Sequence, residues 1–402
     1  MIIQKSKIYL IFLILLPFAN FLGPKMIFIS IFFIAMISLF YIIKEHSSLN
    51  LAGKNLVVLI SIFGCYVLLV MLNNINYVHV RDIFELFKYL IWIVIFLYAY
   101  EVSKKCNIFN VSKIFYYILL FEFFIILCQI FNIDSLNQII NYFFNLNKYF
   151  TTGRTTGTFS NPNLFGFWII IIYFYIRIIS KNQFNMRLFL LSLIMVVLSS
   201  SRTMLLLFLM FNLYYEFNIR KLLSIYGVYT LVTLSIVGYI AINFILASDI
   251  FIFKYLSELI NLFLNGNFDL SSVSSFSQRL NIWSEVLNFI NNDESSKFIF
   301  GFSPRKEYGF TFIDNQYLFT YFRWGILGSA FFYIIWIYIY YLISKLSKNS
   351  DLNRISSFLK LYIWLLVCYG MLGESFSSWT LVLPLFYFLG GGISMQKWKY
   401  TS

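Results

Sequence analysis

Five short stretches of the chain carry the residues able to do chemistry. The first is Arg154-Thr-Thr-Gly157-Thr-Phe159-Ser-Asn161-Pro162-Asn163-Leu-Phe-Gly166, which lies between two long apolar runs. An arginine fork followed by a glycine-loosened polar turn can offer its guanidinium and several backbone N–H groups to one anion, such as a phosphate. Asn161-Pro162-Asn163 is expected to keep a helix from starting before Leu164. The second stretch is Ser199-Ser-Ser201-Arg202-Thr203, the third holds Arg279, the fourth is Asp314-Asn315-Gln316-Tyr317 and the fifth Gly373-Glu374-Ser375.

Three arginines, Arg154, Arg202 and Arg279, suit a diphosphate, because each guanidinium can bond two phosphate oxygens at once and a partly desolvated site strengthens every such bond. A carboxylate at Asp314 or Glu374 could accept the proton of a sugar hydroxyl or orient it. Asn161, Asn163, Asn315 and Tyr317 are the neutral polar groups of the same stretches. Each residue also has an ordinary role open to it: Asp314 as the cap of the helix that follows, the others as loop residues near lipid headgroups. Arg202 stands apart, because a charge flanked by apolar runs must be paired or bound to be tolerated.

The elements that must position these stretches are membrane spans. The chain has 402 residues, 60% of them hydrophobic, 22% aromatic and 12% charged, and apolar runs of about 20 residues, enough to cross ~30 Å of hydrocarbon, recur from end to end. The fold class expected is all-α: a polytopic transmembrane bundle of about 12 spans, forming one integral membrane domain over 1–402. Spans are expected near 8–22, 26–43, 56–73, 86–101, 111–132, 164–180, 188–200, 203–215, 222–247, 317–343, 357–372 and 379–396. With the N-terminus on the cytoplasmic side, the inner connections collect Lys44 and Lys54; Lys104, Lys105 and Lys113; Arg177, Lys181 and Arg187; Arg220 and Lys221; and Lys345, Lys348, Arg354 and Lys360. All five polar stretches then face the outside, three of them in or at the end of the outer loops 133–163 and 248–316.

Two features refine this picture. The runs 188–200 and 203–215 are too short for a full crossing, and two short helices meeting at Ser199–Thr203 are preferred to one span with Arg202 at its centre. Within the large extracytoplasmic loop 248–316, Phe276, Leu280, Trp283, Val286, Leu287 and Ile290 recur at helical spacing and describe an amphipathic helix. Glu122 lies mid-span, to be paired or protonated within the bundle.

Other classes are disfavoured. The formal charge of +13 falls on basic residues placed singly or in pairs between apolar runs, so no nucleic-acid partner is expected. Cys65, Cys106, Cys128 and Cys368 lack metal-ligand spacing and read as small buried apolar residues. His46 and His79 read as plain loop residues, and no metal or other cofactor is expected.

Taken in order, Arg154…Gly157-Thr-Phe159…Asn161-Pro162-Asn163…Gly166, Ser201-Arg202-Thr203, Arg279 with Trp283, then Gly301 leading to Asp314-Asn315-x-Tyr317…Gly325-x-x-Gly328, resemble the Wzy-type O-antigen and capsular polysaccharide polymerases of the O-antigen ligase/polymerase superfamily. The resemblance covers roughly 150–330. It implies a bundle of ten to fourteen helices in the bacterial cytoplasmic membrane with an outward-facing site. It also implies metal-independent glycosyl transfer from an undecaprenyl-pyrophosphate-linked oligosaccharide, with Arg202 and Arg279 binding the pyrophosphate and Arg154 as a third. Partners implied are membrane lipids, a chain-length regulator and a flippase. The related ligases typically carry histidine where this chain has Asp314, which favours polymerase over ligase. A lipid-linked-oligosaccharide flippase is the alternative of another class.

Overall fold

The computed structural model describes residues 24–45, 49–75, 78, 82–131, 155–159, 161–180, 185–216, 274–292, 297–302, 313–350, 352–371, 373–376 and 378–398. The expected spans 8–22 and 222–247, much of the loop 248–316, and Arg154 lie outside the described residues; of Arg202 the backbone is described. Among the described residues every regular element is a helix. In chain order these are α1 Pro24–Glu45, α2 Leu51–Asn73, α3 Ile83–Ser103, α4 Ser112–Ile130, α5 Pro162–Ile179, α6 Met186–Leu198, α7 Arg202–Glu216, α8 Ser274–Asn291, α9 Lys297–Phe300, α10 Gln316–Leu346, α11 Asn353–Gly370 and α12 Trp379–Trp398.

Helices are what a chain of this composition must form in hydrocarbon, because only they satisfy every backbone polar group within one segment. Each expected span that falls on described residues coincides with a helix, and five (α2, α3, α4, α5 and α10) are long and apolar enough to cross a membrane. In α2 the buried face Leu56, Ile60, Phe63 and Val67 has an equally apolar opposite face, with Val58, Ile62, Leu69 and Leu72 exposed. A helix apolar all round belongs in lipid.

The helices gather into two compact units, one formed by residues 1–114, 178–182 and 278–402 and the other by 115–177 and 183–277. In the first, α12 packs against α3 more extensively than any other described pair, and at Gly390 the α3 backbone comes so near that a Cβ would stand 2.3 Å from the Phe96 carbonyl oxygen. Small residues permit such approach between membrane helices. Rings fill the interior: Trp92 stacks on Phe386 at 5.2 Å, and Trp336 meets Phe376 at 4.5 Å. Helix α10 is broken at Gly325, whose φ of 63° is left-handed. Segment 297–302 crosses this break. A Cβ on Gly325 would lie 2.3 Å from the Ile299 oxygen and one on Gly301 2.1 Å from the Arg323 oxygen, so the two glycines let two backbones touch. The Tyr66 hydroxyl donates to the Trp324 and Phe300 carbonyls at 2.8 and 3.1 Å.

In the second unit, α5 is buried at every residue from Phe165 to Ile176. Phe115 of α4 packs edge-on against Tyr175 at 4.5 Å, and Tyr173 packs against Phe208 of α7 at 5.2 Å. The break expected between 188–200 and 203–215 is present: α6 and α7, of 13 and 15 residues, are separate helices. Ser200 between them takes a φ of 53°.

Candidate functional site

The turn that follows Arg154 is held from inside α4. Glu122, fully buried, accepts hydrogen bonds from the Thr158 N–H at 3.0 Å and the Thr158 hydroxyl at 2.5 Å. Seven residues on, two helical turns along the same face, the Gln129 amide oxygen accepts from the N–H groups of Thr156 and Gly157, both at 3.1 Å. Its NH2 donates to the Gly157 carbonyl at 2.8 Å. The backbone N–H groups of 156, 157 and 158 are therefore satisfied within the protein, which corrects the expectation that this turn offers them to an anion. The physical reason is burial: an amide drawn under the helices must find a partner, and two polar side chains on α4 supply it. Glu122 thus has hydrogen-bond donors, with no basic partner among the described residues.

The same turn is tied to the break between α6 and α7. Thr155 donates through its hydroxyl to the Leu198 carbonyl at 2.6 Å, and the Ser201 hydroxyl donates to Asn163 Oδ1 at 2.6 Å. Thr155 directly follows Arg154, and Ser201 directly precedes Arg202. Asn161 accepts from the N–H of Asn163 at 2.8 Å, so α5 begins at Pro162, two residues earlier than expected. Proline is well suited to a first helical position, where its missing N–H has no partner to lose.

In the other unit, α8 sets Arg279 beside Asp314, with Nε 3.4 Å from Oδ2 and side chains 25% and 49% exposed. The buried face of α8 is centred on Val286 and Ile290, packed with Phe302, Ile313, Phe319 and Phe322 and joined by Ile282 and Phe289. Leu280 and Leu287, expected on that face, are exposed; spacing alone did not separate the two apolar edges of the helix. The cap of α10 is Asn315: its Oδ1 accepts from the N–H groups of Tyr317 and Leu318 at 2.9 and 3.0 Å. That leaves the Asp314 carboxylate to Arg279. The Asn315 NH2 reaches the Met371 carbonyl at 3.5 Å, and the Tyr317 hydroxyl donates to the Val367 carbonyl at 2.9 Å. Both side chains thereby join the start of α10 to the end of α11, three residues before Glu374.

Sequence reasoning missed a buried charge cluster at the same end of this unit. Lys88 Nζ lies 2.6 Å from Glu85 Oε2, and Arg323 Nη2 lies 3.3 Å from Glu85 Oε1. The Arg323 guanidinium also lies over the rings of Phe319 and Trp324 at 4.6 and 4.9 Å. The available signal was an ionisable residue within an apolar helix, which singled out Glu122 but applies equally to Lys88 and Arg323. Of the cysteines, Cys106 and Cys128 are buried as expected, while Cys65 is exposed.

Among the described residues no three His, Cys, Asp or Glu side chains gather as metal ligands. No protein-family model matches the chain, and no curated protein matches it.

Proposed function

We propose that this protein is a polysaccharide polymerase of the bacterial cytoplasmic membrane. It joins undecaprenyl-pyrophosphate-linked repeat units by glycosyl transfer on the outer side. The observation that carries the reading is the pair of hydrogen bonds Thr155–Leu198 and Asn163–Ser201. They tie the turn that directly follows Arg154 to the break that directly precedes Arg202, two stretches far apart in sequence. The Arg279–Asp314 pair supports it further, bringing one proposed phosphate-binding cation beside one proposed proton acceptor.

In this reading Arg202 and Arg279, with Arg154, hold the diphosphate of the donor and stabilise the charge that builds on it in the transition state. The hydroxyl oxygen of a second lipid-linked unit attacks the donor's anomeric carbon. The bond from that carbon to the pyrophosphate oxygen breaks, the hydroxyl proton passes to Asp314 or Glu374, and polyprenyl pyrophosphate departs. In cells, Arg202→Ala and Arg279→Ala should abolish polymer while single lipid-linked repeats persist. Polymer of wild-type length in both variants would refute the assignment. Purified protein given two lipid-linked repeats separates this activity from a flippase, which moves substrate and joins nothing, and from a ligase, which consumes lipid A core.

A further inference from the structure

We infer that the first part of α10, Gln316–Trp324, is a re-entrant half-helix, and that Asp314 and Glu374 stand at the floor of a water-filled recess sunk below the outer membrane boundary. Its ligand is the hydroxyl-bearing end of a glycan. For that ligand, and for the recess opening outward, the inference rests on the function proposed above.

The reversal of the chain follows from two rings. Tyr317 and Tyr333 lie eight residues to either side of Gly325, and in an unbroken helix they would be about 24 Å apart. Their ring centroids are stacked at 5.8 Å. Gly325, with φ 63° and ψ −169°, therefore turns the chain back, and Gln316–Trp324 runs alongside the residues that follow the break. Its far end is fastened to the end of α11, where Asn315 and Tyr317 reach the Met371 and Val367 carbonyls. That end of α11 is on the level of Tyr333, because α11 runs antiparallel to α10 through the contacts Ser356–Ile343 and Trp364–Tyr340.

The depth follows from α2. This helix is antiparallel to the later part of α10, with the Tyr66 hydroxyl on the Trp324 carbonyl and the Tyr338 hydroxyl on the Ala52 carbonyl. Beyond Tyr66 it continues past the break with Leu68, Leu69 and Leu72 exposed, a surface suited to lipid. The break at Gly325 is therefore no higher than the edge of the hydrocarbon, and Tyr317 lies about 12 Å deeper. Helix α8 follows the same segment down: Phe289 meets Phe322 at 6.2 Å, and ten residues away Arg279 meets Asp314. The connection from α11 to α12 is as deep. Phe376 packs on Trp336 at 4.5 Å, and a Cβ on Gly370 would stand 2.7 Å from Ser375 Oγ and 3.3 Å from the Gln316 Cβ.

Polar groups at that depth need water or a polar ligand. The side chains of Arg279 and Asp314 are partly exposed, and lipid does not tolerate exposed charge at such a level. The Ser375 hydroxyl and the Trp336 indole N–H are buried with no hydrogen-bond partner among the described residues, and such groups are ordinarily served by water or ligand. Ile334 and Ile337, apolar and exposed on the same rod, meet the lipid instead. A glycan hydroxyl that reaches either carboxylate is thus lowered into the thickness of the membrane.

The test uses the full-length protein, its native cysteines replaced, in lipid-bilayer discs. A nitroxide is attached in turn at Asn315→Cys, Glu374→Cys and Ile334→Cys. Its relaxation by a polar nickel chelate and by dissolved oxygen is measured; oxygen concentrates in hydrocarbon, and the chelate is excluded from it. Nickel should dominate at 315 and 374, oxygen at 334. With labels at both 315 and 334, their separation should fall well below the about 28 Å of an unbroken helix. Oxygen dominance at either 315 or 374 would overturn the inference. So would nickel dominance at 334, which would lift the region out of the lipid, or a separation near that of the unbroken helix. Labels 315 and 374 come from separate segments, so misfolding of one variant leaves the other decisive. Joining of two lipid-linked repeats by the wild-type protein is measured alongside. The expected label pattern without joining leaves the recess standing and removes the polymerase reading; joining with a contrary pattern does the reverse.

Discussion

Arg323 brings a terminal nitrogen to within 3.3 Å of Glu85, two residues before the helix that carries it breaks at Gly325. Lys88 reaches the same carboxylate from one turn along α3. Glu85 thus joins α3 to the first segment of α10, and it does so between two cations whose side chains are 2% and 4% exposed.

Removing that carboxylate leaves two buried positive charges facing each other. Glu85→Ala is therefore expected to destabilise the protein by about 3–5 kcal/mol, whereas replacing all three residues by apolar ones of similar size is expected to be nearly neutral. Thermal unfolding in detergent checks both; an unmoved midpoint for Glu85→Ala would show that the cluster does not hold the two helices.

The Arg279–Asp314 pair should behave in the opposite manner. It is half exposed, and such pairs contribute at most about 1 kcal/mol. Arg279→Ala should leave the melting temperature almost unchanged while polymer is lost. Of Asp314→Asn and Glu374→Gln, the variant that removes the proton acceptor should lower the joining rate by ~10²–10⁴-fold. The comparison assigns the base.

Where segment 297–302 crosses α10, the fit leaves no room for a methyl group. Gly325→Ala should destabilise by more than the ~1 kcal/mol typical of an unfavourable φ alone, because its Cβ would also strike the Ile299 carbonyl at 2.3 Å. Tyr66→Phe removes the hydroxyl that reaches both chains at the crossing and should lose about 1 kcal/mol. Urea unfolding in micelles measures each.

Sidedness can be tested directly. In a variant lacking the native cysteines, Ser378→Cys should react with a membrane-impermeant maleimide added outside intact cells, and Ser347→Cys should react only after lysis. The reverse pattern would invert the orientation on which the outward-facing site depends.

Much of the fold was legible because its cause is local. A run of apolar residues with no partner for its backbone but itself becomes a helix, and three consecutive serines before Arg202 interrupt one. The site was legible only as a set of residue types. That Asn315 caps α10 while Asp314 pairs with Arg279 depends on where α8 packs, and adjacent Asp and Asn look alike to a reading of helix starts. The amides of 156–158 illustrate the same limit. Their availability is decided by Glu122 and Gln129, in a different helix. Arg323 was overlooked for a further reason: aromatic neighbours and a span of high overall apolarity concealed one cation whose partner lies in α3.

Gly325 also acts as a ruler. The 31 residues of α10 would make a straight rod of about 46 Å at 1.5 Å per residue, half as long again as a hydrocarbon layer of ~30 Å is thick. Interrupted where it is, the helix leaves a rod from Ile326 to Leu346 of about 31 Å, close to that thickness. Lengthening the chain on the Leu346 side of the glycine would create a mismatch with the lipid.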